Sequence, residues 1–151
     1  MLGVAPDQPI YDSAWRGAYD AAITDKVYAE IFRRAGVVLA SGRPVVIDAS
    51  FRSAHHRRAA RNLAADRGVP FLFVECRVDA PTAKRRLDRR AVGPSVSDGR
   101  LEIFDDFSAG FEPVTELSAH EHLVLDTSRE PETSLAILRG RLNSWPKGFT
   151  G

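Results

Sequence analysis

The sequence is poor in cysteine and has no long apolar run. Cys76 is its single cysteine, so an internal disulfide bond is excluded. No apolar stretch approaches the roughly 20 residues that a membrane-spanning helix needs, and residues 1–8 lack the basic and apolar regions of a signal peptide. A net charge of +1 provides no global field that would attract nucleic acid or a membrane surface. These absences favour a cytoplasmic protein with neither a membrane nor a nucleic-acid partner.

Lysine is also scarce, and its positions exclude one nucleotide-binding motif. Lys26, Lys84 and Lys147 are the only lysines, and none of them follows a glycine. The phosphate-cradling loop G-x-x-x-x-G-K-[ST] requires a lysine directly after a glycine. No such loop can therefore be identified within these 151 residues.

The residues that are present predict one α/β domain over residues 1–151. Hydrophobic residues make up 44% and charged residues 27%, which is typical of a globular chain. Periodicity and capping residues predict helices over residues 17–40, 54–67, 81–90, 98–108 and 130–142. Short apolar runs predict buried strands over residues 45–49, 70–76 and 122–126. This alternation of helices and strands predicts a parallel sheet.

The first predicted strand ends on a carboxylate, Asp48, and is followed by a small polar turn and a basic helix. Ligands of open α/β sheets bind outside the carboxyl ends of the strands. Asp48 is therefore a candidate ligand of a hydrated magnesium ion. A role as a cap of the next helix is the alternative, and the sequence leaves both open.

Arginines form a ladder on the helix predicted to end at residue 90. Arg85 and Arg89 share one helical face, and so do Arg86 and Arg90, because each pair is four residues apart. Such a ladder could stabilise a transferring phosphoryl group. The alternative is pairing with nearby carboxylates, namely Asp88, Glu102, Asp105 and Asp106.

Other reaction classes find less support in the sequence. The pairs His55-His56 and His120-x-His122 have no metal-ligand spacing, so we do not expect a zinc site. No G-x-S-x-G elbow supports a serine triad. A phosphatase with an aspartate nucleophile would need a second aspartate two residues after Asp48, where the sequence has Ser50.

Taken in order, several segments form a pattern that resembles a known family. They are residues 46–51, the Arg57-Arg58 pair, residues 64–76, Arg86-Leu87-x-x-Arg90, Ser97-Asp98 and residues 111–113. Together they resemble bacterial P-loop kinase-like ATPases, often described as AAA family ATPases. These proteins are similar to gluconate kinases, zeta toxins and polynucleotide kinases.

The resemblance implies a three-layer P-loop NTPase-like fold and transfer of the γ-phosphoryl group of ATP to a hydroxyl of a small molecule. It implies that Asp48 lies near Mg²⁺ and the phosphates and that Arg86 and Arg90 neutralise phosphate charge from a lid. The residues that it places around ATP are Ser50, Arg57, Arg58 and Asp98.

Family members begin with a strand, a phosphate loop and an acidic stretch, and this sequence resembles the part that follows them. We therefore expect a truncated fold that lacks the first strand and transfers phosphoryl groups weakly or not at all as this chain. A second copy or a partner chain is expected to cover the open sheet. The alternative is a non-catalytic binding or regulatory domain that retains the kinase scaffold.

Overall fold

The computed structural model describes residues 21–91 and 101–143, and the side chains of residues 90, 91 and 101–103 lie outside this description. Within these residues, helices and strands alternate as an α/β protein requires. The helices are α1 (Ala21–Ala40), α2 (Ala54–Asp66), α3 (Ala80–Ala91), α4 (Leu101–Ala109) and α5 (Pro131–Asn143). The strands are β1 (Phe73–Arg77) and β2 (His122–Asp126). None of the described helices is long and apolar enough to span a membrane.

The two strands form a parallel pair, as predicted. Phe73 pairs with His122 at one end of the ladder, and Arg77 pairs with Asp126 at the other. The connection between them carries α3 and α4, because parallel neighbours need a long crossover. The carboxyl ends of β1 and β2 therefore lie at the same edge of the sheet.

Local sequence explains where α2 begins and ends. The hydroxyl oxygen of Ser53 accepts a hydrogen bond from the N–H of His55 at 3.1 Å, so Ser53 is the predicted N-cap. At the other end Gly68 adopts a φ of 62°, which favours glycine. The N–H groups of Gly68 and Val69 then donate to carbonyls of the last turn in a Schellman motif.

Residues 45–49 do not form the strand that their apolar run predicts. In the described part of the chain this segment has no hydrogen-bonded strand neighbour, since β1 pairs with β2. Ile47 and Ala49 pack against the core, whereas Val46 is 95% exposed. The side chains thus alternate as in a strand, but the ladder that defines one is missing. That another chain supplies this ladder stays a prediction.

The core is an aromatic cluster between α1, α2 and the sheet. Tyr28 contacts Phe51 at a ring-centroid distance of 5.2 Å, and Phe51 contacts Phe73 edge to face at 6.0 Å. Phe51 has a φ of 44°, a left-handed conformation that is costly for an aromatic residue. The Tyr28 hydroxyl stabilises it by accepting a hydrogen bond from the Phe51 N–H at 2.8 Å.

One fully buried arginine, Arg57, ties this core to the loop before β2. Its Nη1 donates to the carbonyls of Phe51 at 2.9 Å and Arg52 at 3.0 Å. Its Nε and Nη2 donate to the carboxylate of Glu116, with a shortest distance of 2.5 Å. Nη2 also donates to the Pro113 carbonyl at 3.3 Å. We call this set of contacts the Arg57 clamp.

Replacing Arg57 tests whether the clamp holds the fold. Because Arg57→Lys loses the planar fork and leaves Glu116 poorly paired, we expect the free energy of unfolding to fall by about 3–5 kcal/mol. Urea denaturation followed by circular dichroism measures this loss. Arg58→Lys is the matched control, since Arg58 is the exposed neighbour on the same helix. Equal stability of the two variants would contradict a structural role for Arg57.

The clamp also predicts an acid dependence of stability. The hydrogen bond from Arg57 lowers the pKa of Glu116 from its usual 4.5 to about 2. A carboxyl whose pKa is lower in the folded state stabilises that state above its unfolded pKa, and this stabilisation is lost as pH falls from 4.5 toward 2. The contribution is at most about 3 kcal/mol. We expect Glu116→Gln to remove this part of the acid dependence in urea titrations between pH 6 and 2.

Glu30→Gln is the matched control for the acid titration. The hydrogen bonds from Arg33 and then Arg34 lower the pKa of Glu30 to about 2 as well. These three side chains lie on the surface of α1, where salt screens their attraction. An acid-stability curve of Glu30→Gln that changes as much as that of Glu116→Gln would contradict the assignment of the effect to the buried pair.

Candidate functional site

A cavity opens where the segment that carries Asp48 turns into α2. Asp48 and Ser50 are both exposed, and Ser50 lies on the wall of this cavity, whose volume is about 440 Å³. The turn at Phe51 explains the placement, since its ring enters the core while Ser50 beside it stays exposed. Asp48 comes two positions before this wall residue in the sequence, and its part in a site stays a prediction.

Helices α1, α2 and α4 complete the cavity wall. Asp25 and Tyr28 contribute from α1, His56 from α2 and Phe107 from α4. Arg52 lies with its guanidinium carbon 4.0 Å from the centroid of the Phe107 ring, a cation–π contact. The cavity therefore combines acidic, basic and aromatic side chains from three helices and one turn.

One contact in this wall, between His56 and Asp25, is not predicted by any pattern in the sequence. Nε2 of His56 lies 2.8 Å from a carboxylate oxygen of Asp25, and the imidazole ring stacks on Tyr28 at 3.9 Å with an angle of 10° between the planes. His56 is 8% exposed, whereas the Asp25 side chain is 65% exposed. The partners are 31 residues apart, so no local spacing could have indicated the pair.

The predicted ATP contacts on α2 differ in their surroundings. Arg58 is exposed, so a ligand can reach it. Arg57 is buried in the clamp, where carbonyls and the Glu116 carboxylate already accept from all three guanidinium nitrogens. This geometry gives Arg57 a structural role that the sequence analysis did not anticipate. Direct contact of either arginine with ATP stays a prediction.

The structure describes three side chains of the arginine ladder on α3, those of Arg85, Arg86 and Arg89. Arg86 donates to the backbone carbonyl of Thr127, the residue directly after β2. Its guanidinium therefore lies at the edge of the sheet where the carboxyl ends of β1 and β2 meet. The pairing expected with Asp105 is made instead by Lys84, at 2.9 Å. The side chain of Arg90 and all of Asp98 lie outside the described residues.

Asp126, the acid at the end of β2, forms hydrogen bonds within the turn that follows this strand. Its carboxylate accepts from the N–H of Ser128 at 2.9 Å and from the Ser128 hydroxyl at 2.6 Å. These hydrogen bonds, the hydroxyl first, lower the pKa of Asp126 below its usual value. Asp126 is thus an ionised capping residue of a local turn.

No group of three or more histidine, cysteine or acidic side chains in the described ranges could hold a metal ion by itself. Beside a nucleotide, Mg²⁺ usually needs only one or two carboxylates from the protein, because phosphates and water supply its other ligands. The exposed carboxylate of Asp48 has the chemistry of such a single ligand.

Comparisons with known proteins agree with the resemblance seen in the sequence. Residues 4–114 match the family described as AAA domain, a P-loop kinase-like family. Uncharacterized proteins from Mycobacterium bovis and from two strains of Mycobacterium tuberculosis are 33% identical over 102 residues, or 67% of this chain. The chain spans about a fifth of the length of these curated relatives, since 20% of each is covered. No solved structure matches it. The chain belongs to the P-loop kinase-like AAA domain family.

Proposed function

We propose that the chain is part of an ATP-dependent kinase. This kinase transfers the γ-phosphoryl group of ATP to a hydroxyl group of a small molecule. The observation that carries the proposal is the exposed Asp48 carboxylate two residues before a cavity-lining serine, in a chain of this family. Phosphoryl transfer needs charge neutralisation and positioning more than covalent chemistry from the protein. The described residues offer candidates for both tasks.

Arg86 is the proposed neutraliser of phosphate charge. Its bond to the Thr127 carbonyl fixes the guanidinium at the carboxyl edge of the parallel pair, where ligands of α/β sheets bind. Arginine carries five N–H donors, so one bond to a carbonyl leaves donors for phosphate oxygens. We propose Arg90 for the same role, one helical turn further along α3.

Asp48 is the proposed ligand of a magnesium-bound water. When bound, Mg²⁺ neutralises charge that develops on the phosphates. Asp48 contributes an exposed carboxylate that can orient such an ion through water. The remaining proposed ATP contacts are Ser50, Arg58 and Asp98. We propose that Arg57 contributes indirectly, by holding the backbone between Ser50 and α2.

One feature of the sequence favours a second candidate function. Because the chain contains no G-x-x-x-x-G-K-[ST], the backbone cradle that usually binds the β- and γ-phosphates cannot be identified in it. A non-catalytic domain that keeps the scaffold would bind anions at the arginine ladder without needing magnesium. The two functions therefore differ in whether magnesium strengthens the binding of ATP.

A titration of the chain with ATP, followed by NMR, with and without magnesium tests the proposal. We expect magnesium to strengthen binding and Arg86→Gln to weaken it about tenfold or more, since a hydrogen bond to a charged group contributes about 1.5–3 kcal/mol. Arg89→Gln is the matched control, because Arg89 is exposed on the same helix. Circular dichroism checks that loss of the Thr127 contact leaves Arg86→Gln folded.

Three outcomes separate the candidates. Magnesium-dependent binding that Arg86→Gln weakens and Arg89→Gln does not would support the kinase function. Binding of ATP and of inorganic pyrophosphate that is indifferent to magnesium would favour the non-catalytic domain. Equal effects of Arg86→Gln and Arg89→Gln would contradict the placement of the phosphates beside Thr127.

A further inference from the structure

The cavity wall carries hydrogen-bonding groups of opposite character. The carboxylate of Asp25 accepts hydrogen bonds, and the guanidinium of Arg52 donates them. The hydroxyl groups of Thr24 and Ser50 do both. A ligand that forms hydrogen bonds with all of these groups must itself donate hydrogen bonds at some positions and accept them at others.

In its neutral form His56 adds a second acceptor to this wall, because the hydrogen bond to Asp25 determines which tautomer is present. A carboxylate only accepts, so a neutral imidazole must carry its proton on Nε2, the nitrogen 2.8 Å from Asp25. The other nitrogen, Nδ1, then has an unshared pair. Within residues 21–91 and 101–143, no group donates a hydrogen bond to that nitrogen.

The orientation of this imidazole is fixed before any ligand arrives. Stacking on Tyr28 at 3.9 Å holds one face of the ring, and the bond to Asp25 sets its rotation. Tyr28 is itself held by the hydrogen bond that its hydroxyl accepts from Phe51. An acceptor that is pre-oriented in this way costs little ordering entropy when a ligand binds.

We propose that this cavity binds a small polyhydroxylated molecule, a sugar or cyclitol, one hydroxyl of which donates to Nδ1 of His56. Hydroxyl groups are the simplest groups that donate to Asp25 and His56 and accept from Arg52 within one ligand. A volume of about 440 Å³ admits a molecule of this size. The proposal deepens the proposed function, on which it rests for regarding this molecule as the phosphoryl acceptor.

A purely structural role of the pair would tie α1 to α2 without any ligand. The two roles are separable because Asp25 is largely exposed. Asp25→Ala should therefore leave the chain folded, with alanine well tolerated in α1. If Asp25→Ala loses stability but still binds the ligand, the pair has a structural role. If it loses binding with little change in stability, the pair belongs to a binding site.

The test uses the whole chain with nitrogen-15-labelled histidine rings and no nucleotide. We expect myo-inositol or D-ribose to shift the Nδ1 resonance of His56 saturably, whereas the fully O-methylated inositol, which has no donors, should not. Asp25→Ala should weaken the binding about tenfold. His55→Gln is the matched control, since His55 is the exposed neighbour, and it should bind as the unaltered chain does.

The proposal is overturned if neither polyol gives a saturable shift up to about 100 mM, which is weaker than any useful affinity. It is equally overturned if the methylated compound binds as well, or if Asp25→Ala binds unchanged. Because no nucleotide is present, these results do not depend on the ATP titration. Failure of that titration alone would contradict the proposed kinase function and leave the polyol site standing.

Discussion

The buried guanidinium of Arg57 joins parts of the chain that are far apart in sequence. It binds the carbonyls of the turn before α2 and, 59 residues later, the carboxylate of Glu116. A charge that is wholly removed from water is tolerated only when its donors and its partner are all satisfied. This requirement fixes the turn and the loop to each other, and with them the approach of α2 to the sheet.

The candidate site depends on the same constraint. The clamp holds the backbone of Phe51 and Arg52 between two wall positions, Ser50 before and His56 after. The N–H of Phe51 in turn donates a hydrogen bond to the Tyr28 hydroxyl, and the His56 ring stacks on the Tyr28 ring. The wall of the cavity is thus continuous with the core, and packing holds its Tyr28 and His56 side chains in place.

Local patterns in the sequence predicted the elements whose causes are local. Ser53 and Gly68 limit α2 as expected, and the apolar run at 122–126 forms β2. Residues 45–49 have the same kind of apolar run, but a strand also needs a neighbour, and no described segment pairs with them. Arg57 and Glu116 of the clamp are 59 positions apart, and His56 and Asp25 are 31 positions apart. Contacts between residues so distant in sequence produce no local sequence pattern from which they could be predicted.

The central claim that we propose is that phosphates bind at the carboxyl edge of β1 and β2, beside Arg86, and that Asp48 orients their hydrated magnesium ion. A crystal structure of the chain with magnesium and a non-hydrolysable ATP analogue tests it most directly. The account predicts phosphate oxygens within hydrogen-bonding distance of Arg86 and a hydrated metal next to Asp48. Phosphates bound elsewhere on the chain, with Arg86 and Asp48 untouched, would contradict it.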